Sequence, residues 1–70
     1  MKEFELNGKE FIELNKLLKF MGLVDTGGEA NGRIVDGEVL VNGAVEIQKR
    51  KKLRPGDKVV YNGETIAIKG

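Results

Sequence analysis

The sequence predicts a single α+β domain in which two short helices pack on a small, mostly antiparallel twisted sheet. Three observations predict it. The apolar residues change period twice, from two near the start to about 3.6 and back to two after Gly37. Asn-Gly pairs stand between period-two runs at Asn42-Gly43 and Asn62-Gly63, the strongest short-range signal of a hairpin. Seventy residues suffice for one small core and are too few for two. The order strand, helix, helix, then strands belongs to helices laid against one sheet, with no linker, repeat or low-complexity tract to divide residues 1–70.

Phe4 and Leu6 alternate with Glu3 and Glu5, which reads as a half-buried strand lying beside the C-terminal one. Asn7-Gly8 ends it, and Asn7 with Glu10 three residues on has the capping-box pattern that starts a helix. From Lys9 to Met21 the spacing is helical. At about 100° per residue, Phe11, Leu14, Leu17, Leu18 and Met21 share an arc about 120° wide, and Gly22 stands where a left-handed cap would stop the helix. A second helix runs from Thr26, boxed with Glu29, towards Gly37, with Ala30 and Ile34 on one face. Its Gly27, Gly28 and Gly32 each cost up to about 1 kcal/mol relative to Ala, so it must be held by packing on the first helix across Leu23-Val24-Asp25. Val39-Leu40-Val41 and Ala44-Val45-Glu46-Ile47 form the first hairpin. A tight turn at Pro55-Gly56-Asp57 leads into the second, Val59-Val60-Tyr61 with Glu64 to Ile68.

The formal charge is +1, from twelve Lys and Arg against eleven Asp and Glu, but its distribution is uneven. Residues 1–15 hold Lys2 and Lys9 against Glu3, Glu5, Glu10 and Glu13, whereas residues 49–54 read Lys-Arg-Lys-Lys-Leu-Arg without an acid. The absence of cysteine removes disulfides and thiolate metal sites and fits a reducing compartment. Without histidine the usual neutral-pH proton shuttle and the commonest zinc ligand are missing, so no metal or cofactor is expected. No apolar run approaches the roughly 20 residues of a membrane span, and carboxylates interrupt the start where a signal peptide needs apolar residues. A cytoplasmic protein with no membrane partner is the expectation.

Little in the chain supports catalysis. Glu10 and Glu29 read as helix caps, Glu3, Glu5, Glu46 and Glu64 as the polar faces of strands, and no nucleophile–base pair can be built without histidine or cysteine. Thr26-Gly27-Gly28-Glu29 could cradle a phosphate, yet it lacks the pattern of a nucleotide loop and reads better as a tight helix–helix turn. The basic block is either a solvated loop or a phosphate site. Lys16 and Lys19 flank Ile12 on the outer side of the first helix, and Arg33 follows on the second. Their convergence with Lys49, Arg50, Lys51 and Lys52 would make a surface that binds phosphates. Asn42 is most economically a turn residue, although its amide could also face a sugar or base edge. Phe4, Phe11, Phe20 and Tyr61 are the only aromatics. They give poor support to a base-stacking platform like that of RNA-recognition motifs or oligonucleotide-binding barrels, and Phe20 and Tyr61 read as core.

The order of these features resembles the RNA-binding domain of the ribosomal-protein-S-four type, or αL motif. Leu14-Asn15-Lys16-Leu17-Leu18-Lys19-Phe20-Met21-Gly22-Leu23-Val24 is similar to its first helix, and Thr26-Gly27-Gly28-Glu29-Ala30 through Ile34 and Gly37 to its second. Val39-Leu40-Val41-Asn42-Gly43 resembles its hallmark hairpin, and Pro55-Gly56-Asp57-Lys58-Val59 its closing turn. The match covers about residues 11–61 and looks most like small stand-alone bacterial members. The resemblance implies a non-catalytic binder of structured RNA, ribosomal or transfer RNA, with the ribosome as a candidate partner, and a monomer is expected. It implies a surface built from two helices and a hairpin loop, with the amino end of the second helix at an RNA phosphate. Carried over by position, it points to Lys16, Lys19, Asn31, Arg33, Asn42, Lys49, Arg50, Lys51 and Lys52. Where the family carries Ala-Arg-Arg or Ala-Lys in helix two, this chain has Ala30-Asn31-Gly32, which leaves that helix mainly Arg33.

Two other classes compete. A ubiquitin-like sulfur carrier is similar in size and in its Val-Asn-Gly hairpin, but it needs a Gly-Gly tail where this sequence reads Ile68-Lys69-Gly70. An adaptor could instead set the basic block against an acidic protein.

Overall fold

A computed structural model describes residues 1–70. In chain order the elements are β1 (Lys2–Glu5), β2 (Ile12–Glu13), α1 (Leu14–Phe20), α2 (Gly27–Val35), β3 (Val39–Val41), β4 (Ala44–Val45), β5 (Lys52–Leu53), β6 (Lys58–Tyr61) and β7 (Glu64–Lys69). Five strands form one sheet in the order β1-β7-β6-β3-β4, and β2 and β5 form a separate two-stranded ribbon. Only the β1–β7 pair is parallel, with Lys2 opposite Ile66 and Glu5 opposite Lys69. This is the expected α+β class, with the first strand beside the last.

The hairpins follow from their turns. Asn42 (φ 52°) and Gly43 (φ 85°) both occupy the left-handed region, as a two-residue turn matched to strand twist requires, and Asn62-Gly63 repeats the geometry. The first hairpin is shorter than its apolar pattern predicts: β4 stops at Val45, and Ile47 is exposed. Helix α2 begins as its sequence predicts. Thr26 Oγ1 accepts from the Glu29 N–H at 3.1 Å, and the Glu29 carboxylate accepts from the Asp25 N–H at 2.9 Å.

Helix α1 corrects the expectation. The Asn7/Glu10 pattern does not cap it. Asn7-Gly8 is instead a left-handed turn closed by the Lys9 N–H on the Leu6 carbonyl. Ile12 and Glu13 are pulled out of the helix because they pair, antiparallel, with Leu53 and Lys52. The helix therefore has seven residues, and its N-cap, Glu13, makes no side-chain capping bond. Its first two N–H groups find partners far along the chain: Leu14 donates to the Lys51 carbonyl at 2.9 Å and Asn15 to the Lys49 carbonyl at 3.0 Å. A helix end always leaves such donors to be satisfied, and here the basic block does it.

The core gathers Leu14, Leu17 and Leu18 of α1, Ala30 and Ile34 of α2, and Val39, Val59, Ile66 and Ile68 of the sheet, with Leu6 and Leu53 between them. Tyr61 is buried as expected. Two other positions differ. Ile12, assigned by helical spacing to the outer side, is half-buried against the core because it lies on a strand. Phe20, read as core, is 72% exposed.

Leu53 is fully buried and directly follows Lys52, so its side chain fixes the end of the basic block to the core. Leu53→Ala should lower the unfolding free energy by about 2–5 kcal/mol, the usual cost of a buried Leu-to-Ala cavity, measured by urea denaturation.

Candidate nucleic-acid interface

The basic block is an ordered turn. The Lys51 N–H donates to the Gln48 carbonyl at 3.2 Å, and the Gln48 N–H donates to the Glu46 carboxylate at 3.0 Å. With the carbonyls of Lys49 and Lys51 bound to the amino end of α1, the backbone is fixed against the helix. Lys49, Arg50 and Lys52 are exposed and Lys51 is half-buried. None of the four forms an ion pair. Like charges this well solvated repel by only about 1 kcal/mol per close pair, so backbone hydrogen bonds and Leu53 can hold them together.

Phe11 was expected on the buried arc of the helix. Lying before β2, it instead becomes a support for two cations: the Lys52 ammonium stands 4.9 Å from the ring centroid and the Arg54 guanidinium carbon 5.6 Å. Such contacts contribute roughly 0.5–1 kcal/mol each at exposed sites. The Arg54 N–H also donates to the Asp57 carboxylate at 2.8 Å. Neither Phe11 nor Arg54 stood out among the candidates, since the contact joins segments about forty positions apart.

The joint of the site is Asn15, also not anticipated. Its N–H reaches the loop at Lys49, and its side-chain amide donates to Asn31 Oδ1 on α2 at 3.0 Å. Loop, α1 and α2 thus meet at one residue. Lys16 and Lys19 lie on the exposed surface of α1, three residues apart and therefore neighbours on the helix. Lys16 pairs with Glu13 at 3.1 Å, but its side chain remains largely exposed, and Lys19 is unpaired.

Arg33 and Asn42 are engaged elsewhere. Arg33 lies between Glu29, at 3.7 Å, and Glu38, at 3.4 Å. The hydrogen bond to Glu38 raises its pKa above the ordinary value, with Tyr61 and then the two carboxylates adding to the effect. Its charge is thus partly neutralised on α2 and the turn that follows. The Asn42 amide donates to Asp57 Oδ1 at 3.0 Å and accepts from the Lys58 N–H at 2.9 Å, which ties the first hairpin to the Pro55-Gly56-Asp57 turn. Of the two readings of Asn42, the turn residue is the one whose bonds are made. The amino end of α2 carries the Glu29 carboxylate, whose charge opposes the approach of a phosphate. Nowhere do three or more acids gather closely enough to hold a metal ion.

Two helices joined to a basic loop on a small mixed sheet define a class, and comparison with known proteins agrees. The family model for the S4 domain matches residues 4–69, and the chain belongs to that family. Among its relatives, YbcJ of Escherichia coli (strain K12) is 37% identical over 68 residues, 97% of each chain, as is YbcJ of Shigella flexneri. The solution structure of the Escherichia coli protein, described as revealing an αL motif involved in RNA binding, superposes with a TM-score of 0.77 at 36% identity. That superposition covers 100% of this chain and 89% of the other.

Asn42→Gly keeps the left-handed turn while deleting both amide bonds. It should cost about 1–2 kcal/mol, as two partly exposed hydrogen bonds would, and the check is the shift in urea midpoint at unchanged m-value.

Proposed function

We propose that this chain is a non-catalytic cytoplasmic protein that binds structured RNA, ribosomal or transfer RNA, as a monomer and in association with the ribosome. The binding surface is the exposed side of α1, with Lys16 and Lys19, Asn31 on α2, and the loop of Lys49, Arg50, Lys51 and Lys52. The observation that carries this reading is the loop itself. Four cations without a counter-charge are held on an ordered backbone beside a helix that adds two more. RNA phosphates are the ligand that such a surface attracts, because each one neutralised releases condensed counterions. Membership of the S4 family and the αL motif named for the Escherichia coli relative support RNA as the polyanion.

The test replaces Lys49, Arg50, Lys51 and Lys52 together with Ser and follows fluorescence anisotropy on a labelled stem-loop RNA between 50 and 300 mM KCl, with salt slopes read as counterion release at about one per phosphate. For the wild type, about four contacts should give a slope of log K on log salt of roughly −3 to −4. The variant, left with Lys16 and Lys19, should bind at least about tenfold more weakly with a slope reduced to roughly −1 to −2. Unchanged affinity in a variant whose circular dichroism shows an intact fold would overturn the reading. Competition by transfer or ribosomal RNA, but not by an acidic peptide, separates it from an adaptor role. Because Arg33 is held by two carboxylates, Arg33→Gln should weaken binding less than Arg50→Gln in the same assay.

A further inference from the structure

Next to the basic loop, three phenylalanines from separate segments come together. Phe4 of β1, Phe11 and Phe20, at the end of α1, line an open groove of about 510 Å³, with Leu6 and Ile12 on its floor and Lys9, Glu13 and Lys16 on its rim. That volume falls within the roughly 300–1,000 Å³ typical of small-molecule sites. Phe4 and Phe20 meet edge to face, with centroids 5.1 Å apart and planes at 83°. That contact leaves Phe20 72% exposed, a large ring the fold does not cover.

Charge distinguishes the two sides of this aromatic pair. A second recess shares Phe4, Phe20 and Lys9 with the groove but is bordered by Glu3, paired with Lys69 at 3.7 Å, and Glu5. The groove itself has one carboxylate, Glu13, already paired with Lys16 at 3.1 Å, while Lys9 is unpaired and Lys52 and Arg54 stand over Phe11. The groove therefore offers aromatic surface beneath an excess of positive charge. A ligand that fits both has a flat π face and an anionic group on a short tether. An unpaired nucleotide has both. A base inside a duplex hides its faces in the stack, and an acidic peptide segment supplies charge without a flat face.

We propose that the groove receives one unpaired nucleotide of the bound RNA, its base stacked on Phe20 and its phosphate held by Lys9 and Lys16. This rests on the RNA-binding reading and adds to it a preference for RNA with an unstacked base. Base–aromatic stacking tolerates any sequence, because every base has a π face, so the groove selects single-stranded character rather than a particular base.

The test uses the full chain, a twelve-nucleotide oligoadenylate and a blunt twelve-base-pair RNA duplex. Phe20→Ala should weaken oligoadenylate binding by about 5- to 150-fold, the loss of one base–aromatic stack. Its salt slope and its affinity for the duplex should stay at wild-type values. Phe20→Leu, which keeps apolar bulk without a ring, should be weakened as Phe20→Ala is. Phe20→Trp should restore binding and, because the chain has no other tryptophan, report stacking as fluorescence quenched by oligoadenylate but not by duplex or inorganic phosphate. Wild-type affinity in Phe20→Ala, full affinity in Phe20→Leu, or equal losses on oligoadenylate and duplex would each overturn the proposal. A Lys49–Lys52 serine variant that loses binding while Phe20→Ala does not would sink the groove alone. Serine and alanine variants that both bind like the wild type would sink the RNA reading with it.

Discussion

Two backbone hydrogen bonds organise this molecule: Leu14 N–H to the Lys51 carbonyl, and Asn15 N–H to the Lys49 carbonyl. Helix α1 has seven residues, well below the roughly 12–15 at which an isolated helix begins to persist in water. It also lacks a side-chain cap. Its stability comes from the buried Leu14, Leu17 and Leu18 and from these two distant carbonyls. The same bonds fix the basic turn. Its main chain faces the helix while Lys49, Arg50 and Lys52 stay exposed, so one interaction caps a helix and presents a charged surface.

The cations fall into two groups. Those of the loop and α1 are free or lightly paired and gather around Asn15, which holds the loop by its N–H and α2 by its amide. Arg33 is embraced by Glu29 and Glu38. Asn42, Asp57 and Arg54 form a small polar lattice that ties the hairpin turn to the next one. The hallmark Val-Asn-Gly and Pro-Gly-Asp motifs thus bond directly to each other. In this chain their bonds brace the sheet against which the charged elements are set.

Where the sequence was legible, the determining contacts were local. Thr26 and Glu29 cap α2 through bonds spanning three and four residues, and the Asn-Gly turns need only their own backbone. The Asn7/Glu10 pattern looks equally good on paper but fails because Ile12 and Glu13 pair with a strand forty residues on. That tertiary contact overrides the local preference. It also displaces Phe11 from the helix; Phe20 stays in the helix but lies off the face that buries Leu14, Leu17 and Leu18. The candidate site divides in the same way. Lys49 to Lys52 are visible as a charge run, and the Glu29–Arg33 pair could have been read from its i, i+4 spacing. The seat of the loop on α1, the Asn15–Asn31 bridge and the Asn42–Asp57 bond join residues fifteen or more apart, and no periodicity announces them.

The pairing of β1 with β7 has a bearing on how the chain acquires its shape. Lys2 lies opposite Ile66, so β1 finds its only neighbour in β7, some sixty residues along the chain. With α1 waiting for carbonyls near residue 50, the amino-terminal third has few native partners of its own while synthesis is under way. Contacts this distant in sequence favour slow, concerted folding over stepwise accretion. The sheet should therefore close late, once β7 is available to pair with β1.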